Sequence, residues 1–429
     1  MTRGRTGRLF TALNGMASGA VWTAIAAVFA RGAPLLYSII IARSLGKEAA
    51  GQFSIVHTTG LLVIALTGPG LHTVATKELA RRHGGGDAGQ RLVASVMRAA
   101  WLMGVVGSCA LVLAADWIVA NVLGNSALAS AIRFGGGFVV LFGTLAAVGN
   151  GALLGLHRFR SIAAANFISG AVGLVAVSVG ALGAGVTGAS LGLAGAYAAN
   201  YLMLRRGLEV RTQGESSQDA VIGTRRWIHM SLPLSVSYGI YGGANWLAIA
   251  ALGRSTHGYG AVAMFSVGNQ WQTAILFLPT ALSAVLLPRL SRLLSMEDSA
   301  GFDHTFRAAL LTNIGLGVIG MLVVIVCAQL LLTLYGPEFR GGETTLRIMA
   351  LASIPVICSN LTSQVLYARG MLRASIWTQL SYAVALIGLA LWLVPTYGSL
   401  GLALATAGGH CVLAVANGTA IAAARIRGQ

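Results

Sequence analysis

Apolar residues run along this chain in blocks long enough to cross a bilayer. They lie at roughly 20–44, 51–74, 92–115, 131–154, 162–182, 189–204, 231–252, 262–287, 308–333, 347–367, 376–394 and 402–424. A spanning helix needs about 20 such residues, which the blocks mostly supply, 189–204 being the shortest. In lipid only helices and closed barrels satisfy their own backbone, and the period-2 alternation of a barrel strand is absent. The pattern therefore predicts an all-α polytopic membrane protein with about twelve transmembrane helices.

Composition strengthens this reading and closes others. Of 429 residues, 56% are hydrophobic and 10% charged, with a mean hydropathy of +0.76. A soluble domain carries about a quarter charged residues. The 57 glycines fit membrane helices that approach one another closely. A net charge of +17 would suggest nucleic acid on a soluble protein, but here the basic residues sit in short connectors and form no stripe, so no nucleic-acid partner is predicted. Twenty-seven of the 29 are Arg, which reads as genome composition. The four cysteines lie in apolar blocks without CxxC spacing, so neither a disulfide framework nor a metal site is expected, and packing is their predicted role. No GxxxxGK[ST] loop occurs, and no cofactor is predicted.

The connectors set an orientation. With the N-terminus inside, 21 basic residues fall in cytoplasmic connectors, six in outer ones, and Arg31 and Arg98 within spans. The positive-inside rule thus predicts a cytoplasmic (inner) membrane protein with both termini cytoplasmic. The basic start "MTRGRTGRLF" lacks a cleavage site before its long apolar block and is expected to be retained.

The halves also echo each other. "ARSLGKEAAGQFSI" (42–55) aligns with "AALGRSTHGYGAVAMFSV" (250–267), placing Gly46 opposite Gly253, and "ASLGLAGA" (189–196) aligns with "GSLGLALA" (398–405). Ser161 pairs with Ser375, and Pro69 with Pro279. This predicts two pseudo-symmetric six-helix lobes, 1–204 and 229–429, joined by a polar cytoplasmic linker at 205–228. Repeats in the same orientation imply an axis along the membrane normal, with substrate between the lobes near midplane.

"YSIIIARSLGKEAAGQFSIV" (37–56), "AVLLPRLSRLL" (284–294), "LYGPEFRGGETTLRIMALASIP" (334–355) and "LYARGMLRAS" (366–375) resemble the polysaccharide transporter family of the multidrug/oligosaccharidyl-lipid/polysaccharide exporter superfamily. That family contains the O-antigen and related lipid-linked oligosaccharide flippases. The resemblance implies a V-shaped cavity that alternates between faces and carries an undecaprenyl-phosphate- or diphosphate-linked glycan outward. It names a lipid-linked saccharide and membrane lipids as partners, with a polysaccharide polymerase or glycosyltransferases beside them. "LLPRLSR" also resembles the lipid II flippases, which usually carry two further helices. A multidrug/cation antiporter is the other alternative, although no Asp or Glu lies mid-span to bind a coupling ion. A membrane polymerase or ligase would need a substantial outer loop, and every outer connector is short.

Arg31 is the sharpest site candidate. It lies about 16 Å along its segment, near the bilayer centre, where an arginine costs about 2.5–3.5 kcal/mol on insertion scales. A guanidinium offers a fixed fork to a phosphate and never deprotonates, so Arg31 is predicted to hold the anionic head. The alternative is a pairing between helices. Arg98 is a further cavity or gate candidate that equally reads as a cation snorkelling inward. His72 and Lys77 are gate candidates, Lys77 equally obeying the positive-inside rule. Asn245, Trp246, Asn269, Gln270 and Trp271 suit sugar contacts or interhelical hydrogen bonds alike. Pro34, Pro69 and Pro279 are predicted bends that let lobes rock.

Overall fold

A computed structural model describes residues 3–81, 87–209, 222–283 and 298–426, with isolated positions between 284 and 297; for 3–31 it describes the backbone alone. Among the described residues all regular structure is helical. The first half comprises α1 (Arg3–Thr67), α2 (Pro69–Arg81), α3 (Asp87–Ile118), α4 (Gly137–Gly155) and α5 (Phe159–Leu208). The second comprises α6 (Thr224–Arg254), α7 (Gly258–Ile275), α8 (Ser299–Thr333), α9 (Glu343–Leu351), α10 (Ser353–Ala368) and α11 (Leu372–Ile426). Between α5 and α6, residues 210–221 of the expected linker lie outside the described residues.

Three helices are really hairpins. α1 breaks at Gly46 (φ 85°, ψ 172°), α5 at Ala184 and Gly185, and α11 at Gly398 (φ 53°, ψ −125°). Other neighbours are single crossings with a bend. Gly68 N–H to Ile64 O and His72 N–H to Gly68 O carry helical bonding from α1 into α2. Leu276 N–H to Gln272 O and Thr280 N–H to Leu276 O do the same from α7 into the helical turns at 277–283. Ala352 N–H to Ile348 O and Val356 N–H to Ala352 O join α9 to α10. Counted so, the described residues make twelve crossings, six in each lobe, as the apolar blocks predict.

Backbone conformation gives the repeat its register. Left-handed φ occurs at Gly46, Gly124, His157 and Gly185, and again at Gly258, Gly336, Gly370 and Gly398, with Gly341 a further such position in the second half only. The first two pairs are 212 positions apart and the last two 213. α5 and α11 likewise start 213 apart, at Phe159 and Leu372. This corrects the sequence pairings, Ser161 with Ser375 and Pro69 with Pro279 being a position or two out of step and the other two further. Gly253 lies inside α6, and Gly258 is the partner of Gly46. The "SLGL" alignment is also one helical turn out of step with the break it was meant to mark, because Ala/Gly/Leu-rich helices align almost as well when slipped by a turn.

Burial follows from the solvent. Large apolar side chains such as Leu113, Val326 and Trp392 are well exposed on the outside of the bundle, as lipid-facing residues must be. Inside, α1, α5, α6, α7 and α11 share one apolar core that crosses from lobe to lobe through Ile41, Phe53, Trp246 and Val262. A second core ties the start of α6 to the N-terminal lobe. There Trp227 is fully buried and donates from Nε1 to Ser95 Oγ at 3.2 Å.

Candidate functional site: three polar cavities

Three cavities run through the interior, each lined by uncharged polar groups among the described residues. The first, about 290 Å³, lies in the N-terminal lobe between α1, α4 and α5. Asn200 Nδ2 donates to Asn166 Oδ1 (3.1 Å) and Ser169 Oγ (2.9 Å) on its wall, closing a network between the two arms of α5. Such pairing is what a buried amide requires. The second, about 140 Å³, sits between the lobes where α1 meets α7. Ser38 donates to Gln270 Oε1 across it at 2.6 Å, joining one lobe to the other. His57 on its wall has Nε2 3.5 Å from the Tyr197 hydroxyl, which faces the first cavity. Pro34 and Tyr37 line both, so the spaces adjoin.

The third cavity, about 430 Å³, belongs to the C-terminal lobe, between α6, α10 and α11. Tyr241, Asn360, Gln364, Gln379 and His410 face it. His410 Nδ1 is 2.9 Å from Ser359 Oγ, and its ring packs on Tyr382 with centroids 4.9 Å apart. Tyr241 stacks on the other side of this group, 5.0 Å from Tyr382.

One end of the bundle, the end with fewer basic residues, is held shut by contacts between lobes. The Glu48 carboxylate accepts from Gly260 N–H (2.7 Å) and Tyr259 N–H (3.3 Å), sitting at the N-terminus of α7, where unpaired N–H groups favour an anion. Glu338 accepts from Lys47 N–H at 2.7 Å. Arg43 donates to Leu334 O and Thr333 O at 2.7 and 3.2 Å. Arg254 bonds Asn121 O, and Tyr259 OH donates to Leu123 O at 3.1 Å. These contacts pull the connectors of opposite halves together.

Placement of the sequence candidates is mixed. Arg31 lies in the helical backbone of α1, and its side chain is outside the described residues. Pro34 lines two cavities. Gln270 and Asn269 line the interlobe cavity, and Pro279 lines the C-terminal one. Asn245 Oδ1 accepts from Tyr382 OH at 3.1 Å and so braces the aromatic group. Trp246 is buried, donating to Thr59 Oγ1 at 2.8 Å. Trp271 packs near Tyr335, and its Nε1 has no hydrogen-bond partner. His72 Nδ1 is 2.9 Å from Ala147 O between α2 and α4, and Pro69 opens α2 beyond the Gly68 bend. Lys77 and Arg98 are exposed, Arg98 Nε reaching Ala94 O at 3.4 Å, and neither lines these cavities. Sequence reasoning missed Asn166, Asn200, Gln364, Gln379 and His410. The signal that finds them is the 213-residue register, which pairs Asn166 with Gln379.

Comparison with known proteins decides the family. Residues 16–294, about two thirds of the chain, match the family described as polysaccharide biosynthesis protein. The chain belongs to that family. A relative, the EPS I polysaccharide export inner membrane protein EpsE of Ralstonia nicotianae, is 26% identical over 400 residues, covering 90% of this chain and 89% of its own. Among solved structures, an inward-facing multidrug resistance MATE transporter of the MOP superfamily superposes with a TM-score of 0.77 at 16% identity, covering 93% of this chain and 95% of that one. The lipid II flippase MurJ, in an inward closed conformation, gives 0.74 at 14% identity, covering 94% and 87%. The chain thus shares the two-lobe, all-helical fold of these transporters.

Proposed function

We propose that this protein moves a lipid-linked saccharide precursor, carried on an undecaprenyl-phosphate or -diphosphate type lipid, from the inner to the outer leaflet of the cytoplasmic membrane. The lobes alternate access around the cavities, with both termini in the cytoplasm. The observation that carries the reading is a set of three interior cavities, two of them adjoining, with amide, hydroxyl and aromatic linings and no Asp or Glu among the described lining residues. Such walls suit a polar, uncharged glycan better than a coupling cation or an organic cation. Family membership and the likeness to EpsE, named as a polysaccharide export protein, support the same direction. The lipid II flippase reading shares the fold alone.

The phosphate head needs a cation, and Arg31 is assigned that role from its depth and chemistry. Three residues on, Pro34 lines both the N-terminal and the interlobe cavity. Hydrogen bonds to a charged group are worth about 1.5–3 kcal/mol, so Arg31→Ala is expected to slow translocation about 10- to 150-fold, with Arg31→Lys in between. The test is complementation of a strain lacking the gene, scored by exported polysaccharide and by precursor accumulating on the inner leaflet. Full export by Arg31→Ala at normal membrane levels would remove Arg31 from the mechanism. Unimpaired export in the deletion strain itself would remove the function.

A further inference from the structure

The two lobes repeat in backbone, yet their polar interiors do not. At the 213-residue register Gln379 stands where Asn166 stands in the N-terminal lobe, and Leu413 stands where Asn200 stands. Asn200 supplies the hydrogen bonds that satisfy the Asn166–Ser169 wall. Leucine has no donor to give, so Gln379 Oε1 is buried without a partner, on a residue only 9% exposed. Gln364 Oε1, on α10, is left in the same condition. Both residues line the 430 Å³ cavity. Turning either amide over would leave a buried N–H₂ in place of the oxygen, so the deficit does not depend on amide orientation. An unsatisfied buried amide is costly, and two facing one cavity mark groups that pair with something else.

We propose that this cavity is a saccharide subsite that takes one neutral sugar ring of the glycan, separately from the phosphate head; the assignment rests on the flippase reading above. A hydroxyl both donates and accepts, so it matches an amide whichever way the amide is turned. A metal cation would meet only the oxygens, and no Asp or Glu is among the described lining residues to balance it. Tyr241 and Tyr238 are 36% and 39% exposed, and both line the cavity, offering ring faces to the C–H face of a sugar. Tyr241 is fixed by its stack on Tyr382, itself held by Asn245 Oδ1, so the aromatic wall is preorganised. The volume falls in the range of small-ligand sites, roughly 300–1,000 Å³.

The test uses the full chain in lipid nanodiscs, avoiding sugar-headed detergents, with the four native cysteines replaced. Thr280→Cys places a thiol on the cavity wall, where the native hydroxyl donates to Leu276 O and Phe277 O of the same helical turns. Its maleimide labelling rate is followed against maltose and N-acetylglucosamine up to about 100 mM, covering the weak affinity expected of one ring. The expected result is saturable protection by at least one sugar, absent with ethylene glycol at matched hydroxyl concentration. Gln379→Leu should raise the half-protecting concentration at least tenfold, about 1.4 kcal/mol, and Gln364→Leu on another helix should do the same, so one misfolded variant does not decide the matter. No protection by either sugar, protection unchanged in both variants, or protection by sodium chloride but not choline chloride would each overturn the subsite. The two readings fail apart: intact export in the deletion strain sinks the flippase, whereas lost export there with no sugar protection sinks only this subsite.

Discussion

The contact between Gly51 and α7 is the tightest test of the closed end. Gly51 is buried in the second half of α1, and a Cβ there would lie 1.8 Å from Tyr259 O, 2.6 Å from its carbonyl carbon and 3.1 Å from Ala263 N. An ordinary C···O approach is about 3.3 Å, so Gly51→Ala requires α1 and α7 to separate by roughly 1.5 Å. The neighbours are backbone and cannot rotate away. Overpacking of this sort costs about 1–3 kcal/mol, against the gain of about 1 kcal/mol that Ala brings to a helix interior. The strain falls on the state in which the lobes touch here and is relieved when they part. A bias of 1–3 kcal/mol shifts a two-state population about 5- to 150-fold. Spin labels at the exposed positions Ser44 and Thr256, on opposite lobes at this end, would report it by pulsed electron resonance in nanodiscs. The expected outcome is growth of a longer-distance population in Gly51→Ala. An unchanged distribution together with raised thermal stability would show that helix propensity wins and that this contact closes nothing.

Two further outcomes test other parts of the argument. Gly185 and Gly398 hold matching left-handed breaks, but a Cβ meets nothing within 4 Å at Gly185, whereas at Gly398 it comes within 2.7 Å of the His257 ring. Gly185→Ala should lose about 1–2 kcal/mol from backbone strain alone and Gly398→Ala measurably more; equal losses in thermal unfolding would refute the overlap. Glu48→Gln removes a carboxylate from the α7 N-terminus and should weaken the closed end by about 0.3–1 kcal/mol. Asp116→Asn breaks only the exposed pair with Arg133 and should leave the same distance distribution unmoved; reversed effects would show that the Glu48 contact is incidental.

Much of the molecule was legible before any coordinates. Transfer of an apolar segment into lipid is a local, additive free energy, so the twelve crossings, the bends at Pro69 and near Pro279 and the all-helical character of the described residues could be read from composition along the chain. The existence of a repeat was legible for the same reason, because turn residues punctuate it. Its register was not. The shared Leu-Gly of 45–46 and 252–253 drew the alignment to Gly253, whereas the left-handed φ at Gly46 and Gly258 fixes the other register. The polar cavities were likewise hidden. Asn166 and Asn200 are 34 positions apart and read as isolated amides in apolar helices; they form a network because Gly185 folds α5 back on itself.

Sequence alone therefore determined what lies in the membrane and to which family the pattern belongs, since those depend on each segment's own solvation. Tertiary structure decided which polar groups find partners. Whether an amide is satisfied depends on the residue opposite it on another helix, and a leucine at 413 in place of an asparagine leaves Gln379 Oε1 buried without a partner. It also decided that Glu48 caps a helix of the other lobe, a contact between positions more than 200 apart that no local preference encodes.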